Sequence, residues 1–226
     1  HNYIANGIVV QNCTYGKCDL THKRGACGID IAAQQARIVL LACCMGTAAH
    51  LGHAHHLLEH IIEKFGEDVH IDLGPEIEVE APITRTITGI KPRKVGDFKR
   101  VLEYCSEQLS HCHASTHIGM ESSYLDFESK SLHIGMIDNL AKEVADISQI
   151  VAYGFPKGDA EAPLVEIGLA SVDVSRPVTL SIGHNPPSAF AIVDYIRRSE
   201  ISGVEVCGLC CTAHELGRYE HGAKII

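Results

Sequence analysis

Residues 178–206 read VTLSIGHNPPSAFAIVDYIRRSEISGVEV, and the class of fold follows from this stretch. Val178–Ile182 is a short apolar run that stops at Gly183. Ala189–Arg198 then spaces its apolar residues as a helix does, and Val204–Val206 is a second apolar run. Strand, turn, helix and strand in that order make the pattern of a parallel sheet with crossover helices. Upstream, Ile150–Tyr153 and Leu164–Leu169 are further short apolar runs and are read as belonging to the same α/β alternation.

Further towards the N-terminus the character changes. A stretch from about Ile29 to Phe65 is rich in Ala, Leu and Ile, contains no Pro and ends at Gly66, which predicts one long helix. Val95–His111 and roughly Leu125–Ile147 are also predicted helices; the second places Leu132, Met136, Ile137, Leu140, Val144 and Ile147 at helical spacing. Between the long helix and Val95, residues 67–95 hold Pro75, Pro82 and Pro92 among β-branched residues and read as an extended connection. The expected organisation is therefore α followed by α/β. It comprises a cysteine-rich ligand segment over 1–30, a helical domain over 31–149 and a parallel-sheet α/β domain over 150–226, the last expected to be incomplete.

Composition narrows the function classes. A net charge of −9 without a basic stripe argues against a nucleic-acid or membrane-surface binder. No uninterrupted apolar run has the length of a membrane span, and the N-terminus lacks the pattern of a signal peptide, so the expected location is cytoplasmic. Ten cysteines and fifteen histidines are the anomaly. In a chain of this length, without an export signal, they favour metal or redox chemistry over a disulfide framework.

Three groups of residues carry that chemistry. Cys13, Cys18 and Cys27 lie in CTYGKCDLT (13–21) and RGACGID (24–30). Soft thiolates suit iron–sulfur clusters or zinc, and the flanking glycines let the backbone turn tightly beside them. Zinc would need a fourth ligand such as His22; three unrelated thiols are the plain alternative. The second group is on the long helix. Taking about 100° per residue, His53, His60 and His56 stand about 300°, 280° and 240° from His50, so the four share roughly a third of the circumference. His50 to His56 spans about 9 Å along the axis, and His60 extends the row to about 15 Å. A row of imidazoles passes protons near neutral pH; a metal site and a solvated polar face fit the same spacing. Cys43 and Cys44 are read as core thiols of this helix.

The third group sits at strand ends. Functional groups of open parallel sheets gather at the carboxyl ends of strands. Val178–Ile182 leads to Gly183-His184, and Val204–Val206 leads to Cys207-Gly208-Leu209-Cys210-Cys211. An imidazole and a thiolate from neighbouring tips form a candidate metal site. For each alone, a loop histidine or a buried thiol is the plain reading.

The segments already quoted, with GTAAHLGHAHHLLEHIIEKFGED (46–68), THIGMESSYLDFESKSLHIGMID (116–138), PKGDAEAPLVEIG (156–168), SIGHNPP (181–187) and GLCCTAHELGRY (208–219), resemble the anaerobic nickel–iron–sulfur carbon monoxide dehydrogenases. Within them the resemblance is closest to the alpha-subunit class of archaeal acetyl-CoA decarbonylase/synthase complexes, over its N-terminal third. It implies a helical domain followed by a Rossmann-like one, and the interconversion of CO and water with CO2, two electrons and two protons. It implies that His184 and Cys211, with Cys210 as the close rival, hold the pendant iron of a Ni-Fe-S active cluster. It implies that His50 hydrogen-bonds the substrate oxygen, with His53 and His56 as proton-relay neighbours. Cys13, Cys18 and Cys27 match three ligands of a [4Fe-4S] cubane. The implied partners are CO or CO2, a second alpha subunit forming a homodimer, a small accessory subunit of the larger complex, and a ferredoxin-like electron carrier.

The match departs from the family at Val10, where the cubane motif has a further Cys. The family's upstream cysteines for a cluster at the dimer interface are missing, and its remaining active-cluster ligands, with a substrate-side lysine, come from downstream domains. The chain starts with His and finishes on a strand-like Ala223-Lys224-Ile225-Ile226, so a piece of a larger enzyme is the expectation. A shortened non-catalytic paralogue, acting as a scaffold or single-cluster electron-transfer module, is the alternative.

Overall fold

In the computed structural model the described residues are 18–74, 80–117, 123–153, 166–183, 186–209, 212–213, 216 and 224–226. The chain divides into two compact units. The first comprises His1–Val69 and Ala81–Ala145, the second His70–Glu80 and Asp146–Ile226.

Helices build the first unit. Helix α1 spans Ile31–Phe65, α2 Pro82–Thr88, α3 Phe98–Ala114 and α4 Tyr124–Tyr153, the last continuing past the division at residue 145. Asp30 sets the start of α1: its extended backbone stands outside the helix, and its carboxylate accepts the Ala33 N–H at 2.9 Å. Gly66, at φ 89°, ends it while its N–H returns to Ile62 O at 2.8 Å. By length and mean hydropathy α1 has an 18-residue stretch apolar enough to cross a membrane, although no single run in it is unbroken. In this structure it behaves as a core helix. Ala33, Leu40, Cys44, Leu51, Ala54, Leu58 and Ile61 are buried along it. Phe98, Val101, Leu102 and Cys105 of α3 and Phe127, Ile134, Ile137 and Leu140 of α4 are also fully buried. Thr47 donates across to Ile134 O at 3.4 Å.

Two expectations fail here for physical reasons. The proline-bearing connection contains helix α2. Pro82 starts it, as its missing N–H permits, and the Glu143 carboxylate accepts the Ile83 and Thr84 N–H groups at 2.9 and 2.6 Å. That cap comes from 60 residues along the chain and is invisible locally. The helix expected from Val95 begins as a 3-10 turn over Val95–Asp97, because Asp97 accepts the Arg93 and Lys94 N–H groups at 2.8 and 3.0 Å.

The second unit holds a four-stranded parallel sheet. Strand β1 is Glu166–Ile167, β2 Val178–Ile182, β3 Val204–Gly208 and β4 Lys224–Ile225, in spatial order β1-β4-β3-β2. Helix α5, Pro186–Arg198, crosses from β2 to β3, as the alternation predicts. Strands β2 and β3 pair in register from Val178 opposite Val204 to Ile182 opposite Gly208. Ile150–Tyr153 is not a strand: it is the last turn of α4. Ile150 is instead buried with Val193 of α5 and Leu216, and Leu73 and Val206 pack on that cluster. A short apolar run does not distinguish a buried helix end from a strand.

Candidate metal centre

The tips of β2 and β3 are joined by backbone. Leu209 N–H donates to Ile182 O at 2.9 Å, and Thr212 N–H donates to Gly183 O at 3.0 Å. Ala213 N–H closes a helical turn back to Leu209 O at 3.1 Å. His184, Cys210 and Cys211 lie outside the described residues, but Gly183, Leu209 and Thr212 beside them are described. Gly183, which precedes the histidine, is bonded to Thr212, which follows the cysteine pair. Glycine at 208 is dictated by this turn. A Cβ there would stand 2.6 Å from Ala213 Cα and 2.8 Å from its nitrogen, closer than real Cβ contacts come. Thr212 is fully buried, and its hydroxyl Oγ1 has no hydrogen-bond partner among the described residues.

Cys207, one turn earlier, has a different environment. It is fully buried. Burial pushes its thiol up from the usual range, and Glu205 pushes it further against a smaller opposing pull from Lys224. A thiol held protonated is a packing group. The neighbouring Lys224 Nζ reaches Glu205 at 2.7 Å and the Ser171 carbonyl at 2.6 Å, tying β4 to β3 beneath the tips. Its ammonium is held above the usual lysine range, chiefly by the hydrogen bond to Glu205.

In the first unit, α1 carries the histidines along a gradient of exposure. His50 and His53 are half-buried, whereas His56 and His60 are exposed. His50 Nδ1 lies 2.6 Å from Asp138 Oδ1, and Lys142 Nζ lies 2.6 Å from Asp138 Oδ2. The His50 and Asp138 side chains are only 16% and 17% exposed. A carboxylate paired with a lysine is ionised and only accepts. The Asp138 carboxylate accepts from the Nδ1–H tautomer of His50 and so fixes the orientation of the ring. Sequence reasoning missed Asp138. The only local trace was its spacing to Lys142 on α4, and 88 residues separate it from His50. His55 leaves the row and meets Ser106 Oγ of α3 at 3.2 Å.

The early cysteines are described in part, since Cys13 and Val10 lie outside the described residues. Cys27 is exposed and Cys18 half-buried. They share one ordered loop: Gly25 N–H donates to Ile29 O at 2.7 Å, Gly28 N–H donates to Gly25 O at 2.9 Å, and a Cβ on Gly25 would meet Cys18 Cβ at 3.5 Å. Cys44 and Cys105 behave as core thiols. Burial, the main cause for each, pushes both up to about 12. Cys43 is half-buried rather than enclosed. Among the described residues, no three His, Cys, Asp or Glu side chains are grouped closely enough to hold a metal ion.

Comparison with known proteins relates these features to a family. The sequence profile of the Prismane/CO dehydrogenase family matches residues 9–73 and 75–226. The acetyl-CoA decarbonylase/synthase complex subunit alpha of Methanocaldococcus jannaschii is 55% identical over 216 residues, covering 95% of this chain and 28% of that relative. Subunit alpha 1 of Archaeoglobus fulgidus is 50% identical over 215 residues, covering 94% and 27%. The chain thus spans little more than a quarter of the length of these relatives. Carbon monoxide dehydrogenase IV from Carboxydothermus hydrogenoformans has a similar fold, with a TM-score of 0.61 at 17% identity over 97% of this chain and 43% of that one.

Proposed function

The chain belongs to the Prismane/CO dehydrogenase family, and from that premise we propose that it is the N-terminal part of a carbon monoxide dehydrogenase subunit acting within an acetyl-CoA decarbonylase/synthase complex. The reaction proposed is the interconversion of CO and water with CO2, two electrons and two protons. When bound, a nickel–iron–sulfur cluster supplies the electron acceptor and a Lewis-acidic iron for that reaction. His184 and Cys211 hold the iron in this reading, with Cys210 as the alternative thiolate. Cys18 and Cys27, with Cys13, hold a [4Fe-4S] group.

The observation that carries the reading is the pair of backbone bonds at the strand tips. Gly183 O accepting from Thr212 N and Ile182 O accepting from Leu209 N tie the chain just before the imidazole to the chain on either side of the thiols. The fit to a metal is supported by the donor types, one imidazole and soft sulfur. In this reading His50, oriented by Asp138, takes and gives the proton, and His53 and His56 continue towards solvent in order of rising exposure.

Two experiments on the natural polypeptide that carries this segment test the reading. His184→Ala is expected to lose iron and nearly all CO oxidation with a viologen acceptor; wild-type turnover in that variant rejects the ligand role. Asp138→Asn keeps the side-chain shape but leaves His50 without an ionised acceptor. Since a positioned proton-transfer group contributes roughly 10²–10⁴-fold, turnover is expected to fall at least about tenfold with metal content unchanged. An unaltered rate across pH removes His50 from the proton path.

A second reading rests on Val10, which stands where the family's cubane motif has a cysteine. It makes the chain a scaffold or single-cluster module. Nickel with several irons per chain rejects it, and little iron without nickel supports it.

A further inference from the structure

Helices α1 and α4 meet through two polar links on successive turns. Thr47, 2% exposed, donates to Ile134 O at 3.4 Å, and about one turn along both helices His50 Nδ1 meets Asp138 Oδ1 at 2.6 Å. Together the links fix where along α1 the Asp138 carboxylate comes. That carboxylate has a second engagement. Lys142, a further turn along α4, puts Nζ 2.6 Å from Oδ2. Its side chain is 41% exposed against 17% for Asp138, so the lysine reaches from the rim to an enclosed anion. An ion pair of this spacing contributes little to stability, and α4 is already anchored by the buried Phe127, Ile134, Ile137 and Leu140. Charge balance is a different matter. An enclosed carboxylate is unfavourable without a partner of opposite charge. Alone beside His50, it would draw that charge from the ring by holding it as imidazolium. The described histidines nearby on the packed helices are committed elsewhere, His55 to Ser106 Oγ of α3 and His133 to Gln108 Oε1. Lys142 supplies the charge.

We propose that Lys142 is a positioning residue for proton transfer at His50: by balancing Asp138 it keeps the carboxylate as an acceptor that orients the ring, and a proton taken up by the ring is passed on instead of being kept. The inference rests on the proton-path reading of His50 above. His50, Asp138 and Lys142 together are neutral before the ring takes a proton and singly positive after it; Lys142 itself exchanges none.

Lys142→Met and Lys142→Arg, made in the natural polypeptide beside Asp138→Asn, test this. Nitrogen-15 NMR of the metal-free, histidine-labelled protein reads the ring directly, the His50 signals being assigned by their loss in His50→Gln. Lys142→Met is expected to move those signals towards imidazolium relative to wild type, and Lys142→Arg to match wild type. In CO oxidation at equal metal content, Lys142→Met is expected to lose about fivefold in kcat, a fraction of the roughly 10²–10⁴-fold of a proton-transfer group itself. KM is expected to change little and the solvent deuterium isotope effect to rise, with Lys142→Arg restoring both rate and isotope effect. Added to Asp138→Asn, Lys142→Met is expected to cause no further loss, because its target is already gone. If Asp138→Asn turns over like wild type, the proton-path reading fails and takes this inference with it. If Asp138→Asn is impaired while Lys142→Met matches wild type in ring signals, kcat and isotope effect, the inference is overturned and the role of Asp138 stands. A further loss in the double variant as large as that of Lys142→Met alone shows that Lys142 acts elsewhere and overturns it too. A loss of turnover that follows a lower melting temperature, with the ring signals unchanged, assigns Lys142 to packing and overturns it as well.

Discussion

The two units hold their functional groups by different means. In the helical unit, His50 rides on α1, whose buried residues join a core that includes fully buried side chains of α3 and α4. Many apolar contacts share the work, so position is maintained redundantly. In the sheet unit, the described apolar cluster is small, made of Ile150, Val193 and Leu216 with Leu73 and Val206 against it. Ile167 and Val174 are 75% and 94% exposed. There the tips are held by main-chain hydrogen bonds and by one glycine against one alanine. One unit positions by packing and the other by backbone geometry. The first should fail globally when its core is cut, the second locally when one atom is added.

Phe98→Ala is the largest expected effect. Phe98 is fully buried at the start of α3, and emptying such a site costs about 3–5 kcal/mol. Urea denaturation followed by far-ultraviolet circular dichroism measures it, and a loss below about 1 kcal/mol would break the claim that the helical unit stands on its core.

Gly208→Ala comes next. Overpacking of this kind costs about 1–3 kcal/mol, but its main consequence is displacement of residues 209–213. Metal retention at the tips is expected to collapse while the helical signal stays close to wild type. Retention equal to wild type shows that backbone fit at Gly208 does not hold the tips.

The smallest effect concerns pH. Asp173 caps its own turn: the Ser175 hydroxyl and N–H donate to it at 2.6 and 3.0 Å, and Arg176 lies at 3.3 Å. The Ser175 hydroxyl is the main cause holding its carboxyl below the usual carboxylate range. A depressed folded-state pKa gives stability that is complete above the unfolded value and disappears as pH falls through the folded one. Asp173→Asn is therefore expected to melt slightly below wild type at neutral pH and level with it once the carboxylates are protonated. A difference that persists in acid assigns the effect to the amide instead of the lost charge.

The sequence disclosed the same contrast unevenly. Helix α1 was legible to within about two residues, because Gly66 marks its end and apolar periodicity needs no distant partner. The alternation over 178–206 gave β2, α5 and β3 directly. Helix α2 was not legible, since Glu143, which caps it, lies in another helix. Ile150–Tyr153 was misread because its burial depends on Val193 and Leu216. At the candidate site, residue types at the strand ends were readable from their spacing. Asp138 was not, because a charge pair closed across 88 residues leaves no periodic trace. Local rules recovered what local forces build, and what tertiary contacts build went unseen.

The in-register pairing of Ile182 with Gly208 has an evolutionary corollary. Adjacent strands keep a spacing of about 4.8 Å whatever side chains they carry. Whatever follows those two residues inherits that separation without selection having to tune it. Side-chain identity beyond the tips can therefore drift while the gauge between the strands stays fixed, whereas a slip of two residues along β3 would carry one tip about 7 Å from the other and leave every strand side chain on its original face.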